Sequence, residues 1–175
     1  LDFETYYDKD FTIKKLNTIE YITDERFKIH GVGIQINDAS PEYYTGDVMD
    51  NALRTTFNEP CILLCQNTKF DGFILHHHYN IHAHRYADTR SMSKALFPTD
   101  SASLKELCIR LFPDDETMRK GDELADSKGI LDLEDELAES IEGYCKQDVH
   151  LTYHCYLKMI SEFPQSEQDL IHLTT

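Results

Sequence analysis

The sequence has no apolar run approaching the ~20 residues that a membrane span requires, so a membrane-embedded protein is not expected. It also lacks the basic start and apolar core of a secretory signal, opening instead on Leu1-Asp2-Phe3-Glu4. There is no initiating Met, and the chain stops at Thr174-Thr175 without a terminal signal, so it reads as a piece of a longer polypeptide. Basic residues are scarce: 17 Lys and Arg stand against 32 Asp and Glu, a formal net charge of −15. Nonspecific affinity for nucleic acid comes mainly from Lys and Arg on phosphates, so a protein that grips nucleic acid unaided is disfavoured. The objection weakens if several carboxylates belong to a metal site and the main grip lies in another domain. The five cysteines are odd in number and have no framework or zinc-knuckle spacing. They read as buried free thiols in a reducing compartment.

At 175 residues, one domain with a real core is expected, not two. Leu1 to Thr5 alternates apolar and acidic residues as a strand does, with Asp2 and Glu4 on one face. A short helix is predicted around Thr18 to Ile22, then strands over His30 to Ile36 and Glu42 to Thr45, separated by turn-like residues. Asp47 to Asn58 reads as helix. Cys61 to Cys65 is a continuous apolar run suited to a strand buried on both faces. Phe70 to Tyr79 reads as helix, His84 to Asp88 as a fifth strand, and the remainder as helical, apart from a mobile acidic stretch from Phe112 to Asp132. This order predicts an α/β domain with a mixed sheet covered by helices on both faces.

Three groups of carboxylates carry chemistry. Asp2 and Glu4 sit two apart on a strand, ~6.6 Å from each other on one face, where they repel unless a positive charge lies between them. Alone, such a pair reads as an exposed edge strand with solvated acids. Asn67-Thr68-Lys69-Phe70-Asp71 follows the apolar strand where a helix begins, a usual place for ligand groups. Alone, it reads as a helix cap by Asn67 or Thr68, with Asp71 in the first turn. Asp148 interrupts the apolar stripe Leu133, Leu137, Ile141, Tyr144, Leu151, Cys155, Met159, with Tyr144 one turn before it. A carboxylate in that row needs a cation, a donor or a proton. A Tyr–Asp hydrogen bond, or a helix break at Gly143 that turns Asp148 outward, accounts for it as well. Taken together, the four carboxylates suit Mg²⁺ or Mn²⁺ rather than zinc, and two such ions suit phosphoryl chemistry. His76-His77-His78 points to successive helix faces and reads as a helix C-terminus rather than a metal site.

In order and context, Asp2-Phe3-Glu4-Thr5, Asn67-Thr68-Lys69-Phe70-Asp71 and Tyr144-Cys145-Lys146-Gln147-Asp148 resemble the three exonuclease motifs of the DEDD (DnaQ-like) superfamily. The tyrosine four residues before the last aspartate resembles the DEDDy branch. Asp88-Thr89 is similar to the Asp-Thr pair of proofreading domains in family A polymerases, and the opening segment, Lys120 to Leu124 and Ser127 to Gly129 are similar to the phage-type members. The resemblance implies an RNase H-like five-stranded sheet and a 3′–5′ exonuclease domain over residues 1–163. Residues 164–175 would begin a linker toward a polymerase domain of the same chain. It implies Asp2, Glu4, Asp71 and Asp148 as ligands of two divalent ions, and Tyr144 as the residue that orients the attacking water. Thr5, Asn67 and Phe70 would lie at the terminal nucleotide; Lys120 could reach a phosphate, but reads rather as a solvated surface lysine.

The activity implied is removal of nucleotides from a single-stranded or frayed 3′ end of DNA, releasing 5′-monophosphates as proofreading in a bacterial or phage-infected cytoplasm. The rivals are a DEDDy RNA-trimming exonuclease and a non-catalytic nucleic-acid-binding module on the same fold.

Overall fold

Phe3 and its two acidic neighbours set the arrangement of the first strand, since alternate side chains must leave opposite faces of a sheet. In the computed structural model, which describes residues 1–121 and 127–175, strand β1 (Asp2–Thr5) buries Phe3 beneath a helical layer. Helix α1 (Thr18–Thr23) follows, held by a capping box between Asn17 and Glu20. Strands β2 (Ile29–Ile34) and β3 (Glu42–Tyr44) come next, then helix α2 (Gly46–Thr56). Strand β4 (Ile62–Cys65), helix α3 (Thr68–Tyr79), strand β5 (Arg85–Asp88) and helix α4 (Thr89–Leu96) alternate after that. Helix α5 (Leu104–Leu111), a 3₁₀ turn at Glu116–Met118, helix α6 (Asp135–Ile160) and helix α7 (Gln165–Thr174) complete the described elements.

All five expected strands are present, and they form two ladders. β1 pairs antiparallel with β2, with Asp2 opposite Gly33 and Glu4 opposite Gly31, and β2 pairs antiparallel with β3. β4 and β5 pair in parallel. The ladders meet where the Leu1 ammonium donates to the Leu64 carbonyl at 2.9 Å. Further along this edge of β1, the Phe3 N–H goes to the Asp71 carboxylate of α3 instead of to a strand.

Two cores flank the strands. Phe3, Val32, Met49, Leu53, Leu63, Ile74 and Leu75 pack under α2 and α3, joined by Phe11, Tyr21 and Ile22. On the other side Met92, Leu107, Cys108, Leu151, Cys155 and Met159 join α4, α5 and α6. Helix α6 contacts β1, β2, β3 and β4. It comes close because β2 presents glycine toward it: a Cβ on Gly33 would lie 2.8 Å from Cys145 Sγ and 2.9 Å from Val149 Cγ2. Glycine inside a strand permits this approach.

Three expectations are corrected. β4 is not buried on both faces, because Ile62 is 55% exposed at its open end. The described ends of the acidic stretch are anchored rather than loose: Met118 is buried, the Gly129 N–H donates to the Tyr7 carbonyl at 2.8 Å, and Lys28 pairs with Asp132. Asp122, Glu123 and Leu124 of the resemblance lie outside the described residues. Lys120 is not a solvated surface lysine, for reasons given below. The final segment forms α7, which packs on β5 through an Arg85–Asp169 ion pair and stacking of Tyr86 on His172. Among the described residues, no helix is long and apolar enough to cross a membrane.

Candidate active site

Asp2 and Glu4 leave β1 on the side that faces α6. Their oxygens and the Cys145 Sγ lie within 4.8 Å of one another. The glycines opposite them in β2 admit other side chains, the Tyr43 ring at Gly31 and Cys145 and Val149 of α6 at Gly33. Helix α6 runs unbroken through Gly143, so Tyr144 and Asp148 face inward together, at 6% and 8% exposure. The alternative of a broken helix with Asp148 in solvent is therefore excluded. From the third direction, Asp71 in the first turn of α3 accepts the Phe3 N–H at 3.0 Å and is also buried.

Electrostatics tie the four acids into one group. Burial pushes Asp2 well above the usual carboxylate range, and Glu4, Asp71 and Asp148 push it further in that order. Burial raises Glu4 to about 7, with Asp148 adding to the rise and Lys120 opposing it. Asp71 rises to about 6 through burial, offset by the Phe3 N–H and the Leu1 ammonium. Asp148 is raised by burial and held down by Lys120. Like charges crowded in a poorly solvated pocket resist ionisation together.

Helix capping does not explain the second motif. Asn67 stands at the N-cap position of α3 but makes no side-chain cap. The Thr68 hydroxyl donates to the Ala87 carbonyl at 2.5 Å, and the Thr68 N–H donates to Asp88 Oδ2 at 3.1 Å. The other Asp88 oxygen accepts from the Ser91 N–H at 3.0 Å, so Asp88 serves the starts of two helices at once. Asp88 thus fixes the start of α3, where Asn67 stands four residues before Asp71. Thr5 is spoken for by Tyr21, whose hydroxyl lies 3.0 Å from its own. Phe70 is half-buried with its ring tilted against Tyr21 at 6.0 Å.

Two residues at the site were not assigned to it from sequence. The Lys120 ammonium pairs with Asp148 Oδ2 and lies 4.5 Å from the centroid of the Tyr144 ring. It reaches α6 from a loop, so no periodic spacing announces it. Cys145 did carry a signal, since it lies three residues before Asp148 on a helix and so shares its face. Its thiol, pushed well above its ordinary value by burial and by Asp2, donates to the Asp2 carbonyl at 3.4 Å. Mg²⁺ and Mn²⁺ prefer oxygen ligands to sulfur, so at a site for either ion Cys145 packs against the acids.

The donor set fits a hard divalent cation. Asp148 Oδ1 is buried with no hydrogen-bond partner, a costly state that a cation relieves. Oxygen donors from Asp2, Glu4, Asp71 and Asp148 match the preference of Mg²⁺ and Mn²⁺. The histidines do not compete: His76 Nδ1 meets His82 Nε2 at 3.1 Å, and no third ligand joins them among the described residues.

No curated protein and no solved structure matches the chain significantly. A family model described as 3′-5′ exonuclease does match, over residues 20–163. Asp71, Tyr144 and Asp148 lie within the match, and Asp2 and Glu4 precede it. With a buried carboxylate cluster built from three elements and a match over most of its length, the chain belongs to the 3′-5′ exonuclease family of family A DNA polymerases.

Proposed function

We propose that the domain hydrolyses phosphodiester bonds one at a time from the 3′ end of DNA, with two divalent ions held by Asp2, Glu4, Asp71 and Asp148. The observation that carries this reading is the buried Asp148 Oδ1 lacking any partner, at a site where the charges of Asp71 and Asp148 act on Asp2 and Glu4. Bound Mg²⁺ or Mn²⁺ supplies Lewis acidity there, acidifying water and offsetting charge on the phosphate.

The chain's own residues do the rest. Tyr144, pushed up to about 12 by burial and Asp148, keeps its proton at neutral pH. It therefore orients the attacking water through its hydroxyl and does not act as the base. Attack in line with the leaving 3′ oxygen breaks that P–O bond and releases a nucleoside 5′-monophosphate. Thr5, Asn67 and Phe70 border the terminal nucleotide, Phe70 offering a ring on which a base can stack.

The proposed setting is proofreading. Residues 1–163 form the nuclease, an RNase H-like domain whose two ladders act as one five-stranded sheet. Residues 164–175 lead toward a polymerase domain of phage type, acting in a bacterial or phage-infected cytoplasm. A net charge of −15 suits a domain that holds only a few frayed nucleotides while a basic partner holds the duplex.

The test is a 5′-labelled single-stranded DNA oligonucleotide with excess protein and Mg²⁺ or Mn²⁺, beside Asp148→Ala and EDTA controls. A ladder shortening from the 3′ end that both controls abolish supports the reading. DNA left intact by folded protein under every condition overturns it. A parallel RNA oligonucleotide separates DNA proofreading from RNA trimming.

A further inference from the structure

Lys120 is the cation that already occupies this acidic site. Its ammonium contacts Asp148 Oδ2 and stands over the Tyr144 ring, and the paired side chains are only 20% and 11% exposed. The backbone beside it is pinned. The Arg119 carbonyl accepts from Gln147 Nε2 of α6 at 2.6 Å, and the Arg119 guanidinium donates to the carbonyls of Phe112 and Pro113 at 2.8 and 2.7 Å. The lysine stem, in contrast, is a flexible four-carbon arm ending in a compact charge.

A divalent ion at Asp148 and an ammonium on the same carboxylate repel each other, so one must give way. Because the backbone is held and the stem is not, the ammonium moves while staying within reach of Tyr144. On the reading above, the water that Tyr144 orients attacks a phosphate there, so the displaced ammonium would have an anion within reach.

Resting on the metal-dependent reading above, we propose that Lys120 is an exchangeable cation: it holds Asp148 until a divalent ion takes that carboxylate, and then binds a phosphate of the nucleic acid. Its presence weakens metal binding to the free protein and strengthens binding of DNA.

Two readouts test this without turnover. Mn²⁺ titrated calorimetrically into DNA-free protein at pH 8 binds Lys120→Met about ten- to hundredfold more tightly than wild type, the worth of a hydrogen bond to a charged group. Lys120→Arg stays near wild type. Lys146→Met, which removes an equal charge two residues before Asp148 on α6 where the lysine pairs with Glu142 instead, leaves Mn²⁺ affinity unchanged and controls for overall charge. With Ca²⁺ and an oligonucleotide carrying a 3′-terminal phosphorothioate, Lys120→Met flattens the logarithmic salt dependence of binding by about 0.7, the loss of one phosphate contact on a single strand.

Mn²⁺ binding that is unchanged or weaker in folded Lys120→Met, or equally tightened in Lys146→Met, overturns the exchange. An unchanged salt slope overturns the phosphate contact. If wild type binds no Mn²⁺ at all, the metal-dependent function falls and this proposal with it. If wild type binds and Lys120→Met binds no better, only the role of Lys120 falls.

Discussion

The Asp71 carboxylate accepts the Phe3 backbone N–H at 3.0 Å across 68 positions of sequence, fastening the start of α3 to the edge of β1. One oxygen therefore has a structural duty, while the charge serves the metal site. The two duties separate by substitution. Asp71→Asn keeps an acceptor of the same shape, whereas Asp71→Ala leaves a buried N–H unpaired at a cost of about 1–3 kcal/mol. Both should lower nuclease activity by about 10²-fold or more, as when one group that offsets transition-state charge is lost. Only Asp71→Ala should lower the midpoint of thermal unfolding. Equal losses of stability in the two variants would show that the hydrogen bond is not what Asp71 contributes to the fold.

The raised carboxylates give the metal-free protein a characteristic pH response. Glu4 at about 7 and Asp71 at about 6 hold protons more tightly folded than unfolded. Their contribution to stability is complete below about pH 4, near their unfolded values. It is lost as pH rises through 6 and 7, because the folded state then carries ionised acids in a crowded pocket. In EDTA the unfolding midpoint should fall between pH 5 and 8, and Mg²⁺ should restore it most at pH 8. Glu4→Gln should flatten this dependence. A midpoint that falls as steeply in Glu4→Gln would assign the effect to groups outside the site.

Tyr144→Phe removes a hydroxyl and leaves the ring beneath Lys120 in place. Turnover should drop by about 10²-fold, the low end of what a positioned proton-transfer or water-orienting group supplies. Mn²⁺ affinity should be unchanged. Since burial and Asp148 hold the Tyr144 proton to about 12, the wild-type rate should show no tyrosine limb up to pH 10. A descending limb near 9 that vanishes in Tyr144→Phe would instead make the phenolate a participant.

What was legible in the sequence follows from what leaves a periodic trace. The alternation in Leu1 to Thr5 and the three-and-four spacing through Tyr144 and Asp148 located β1 and α6 and put Asp2 with Glu4, and Tyr144 with Asp148, on common faces; that those faces turn inward only the structure shows. Local pattern could not show that Asp88 does the capping next to Asn67, because its partners Thr68 and Ser91 lie on two different helices. Nor could it find Lys120, whose contact with Asp148 spans 28 residues from a loop. The exposure of Ile62 was hidden for a similar reason: an apolar run reads alike whether or not something covers its end.

Gly33 offers a test of how α6 is brought against β2. A Cβ there would lie 2.8 Å from Cys145 Sγ and 2.9 Å from Val149 Cγ2, both on α6. Because α6 also touches β1, β3 and β4, it cannot retreat locally without disturbing its other contacts. Gly33→Ala should therefore cost about 1–3 kcal/mol, the range for overpacking a filled interior. Activity should fall further than stability implies, since Cys145 lies against Asp2 and Glu4. Cys145→Ala removes the nearer obstacle. Combined with Gly33→Ala, it should recover part of the lost stability in chemical unfolding, giving a coupling that distant, independent sites do not show. Strict additivity of the two changes would mean that the strand, not the helix, yields to the added methyl group, and that close approach of α6 is not what β2 needs glycine for.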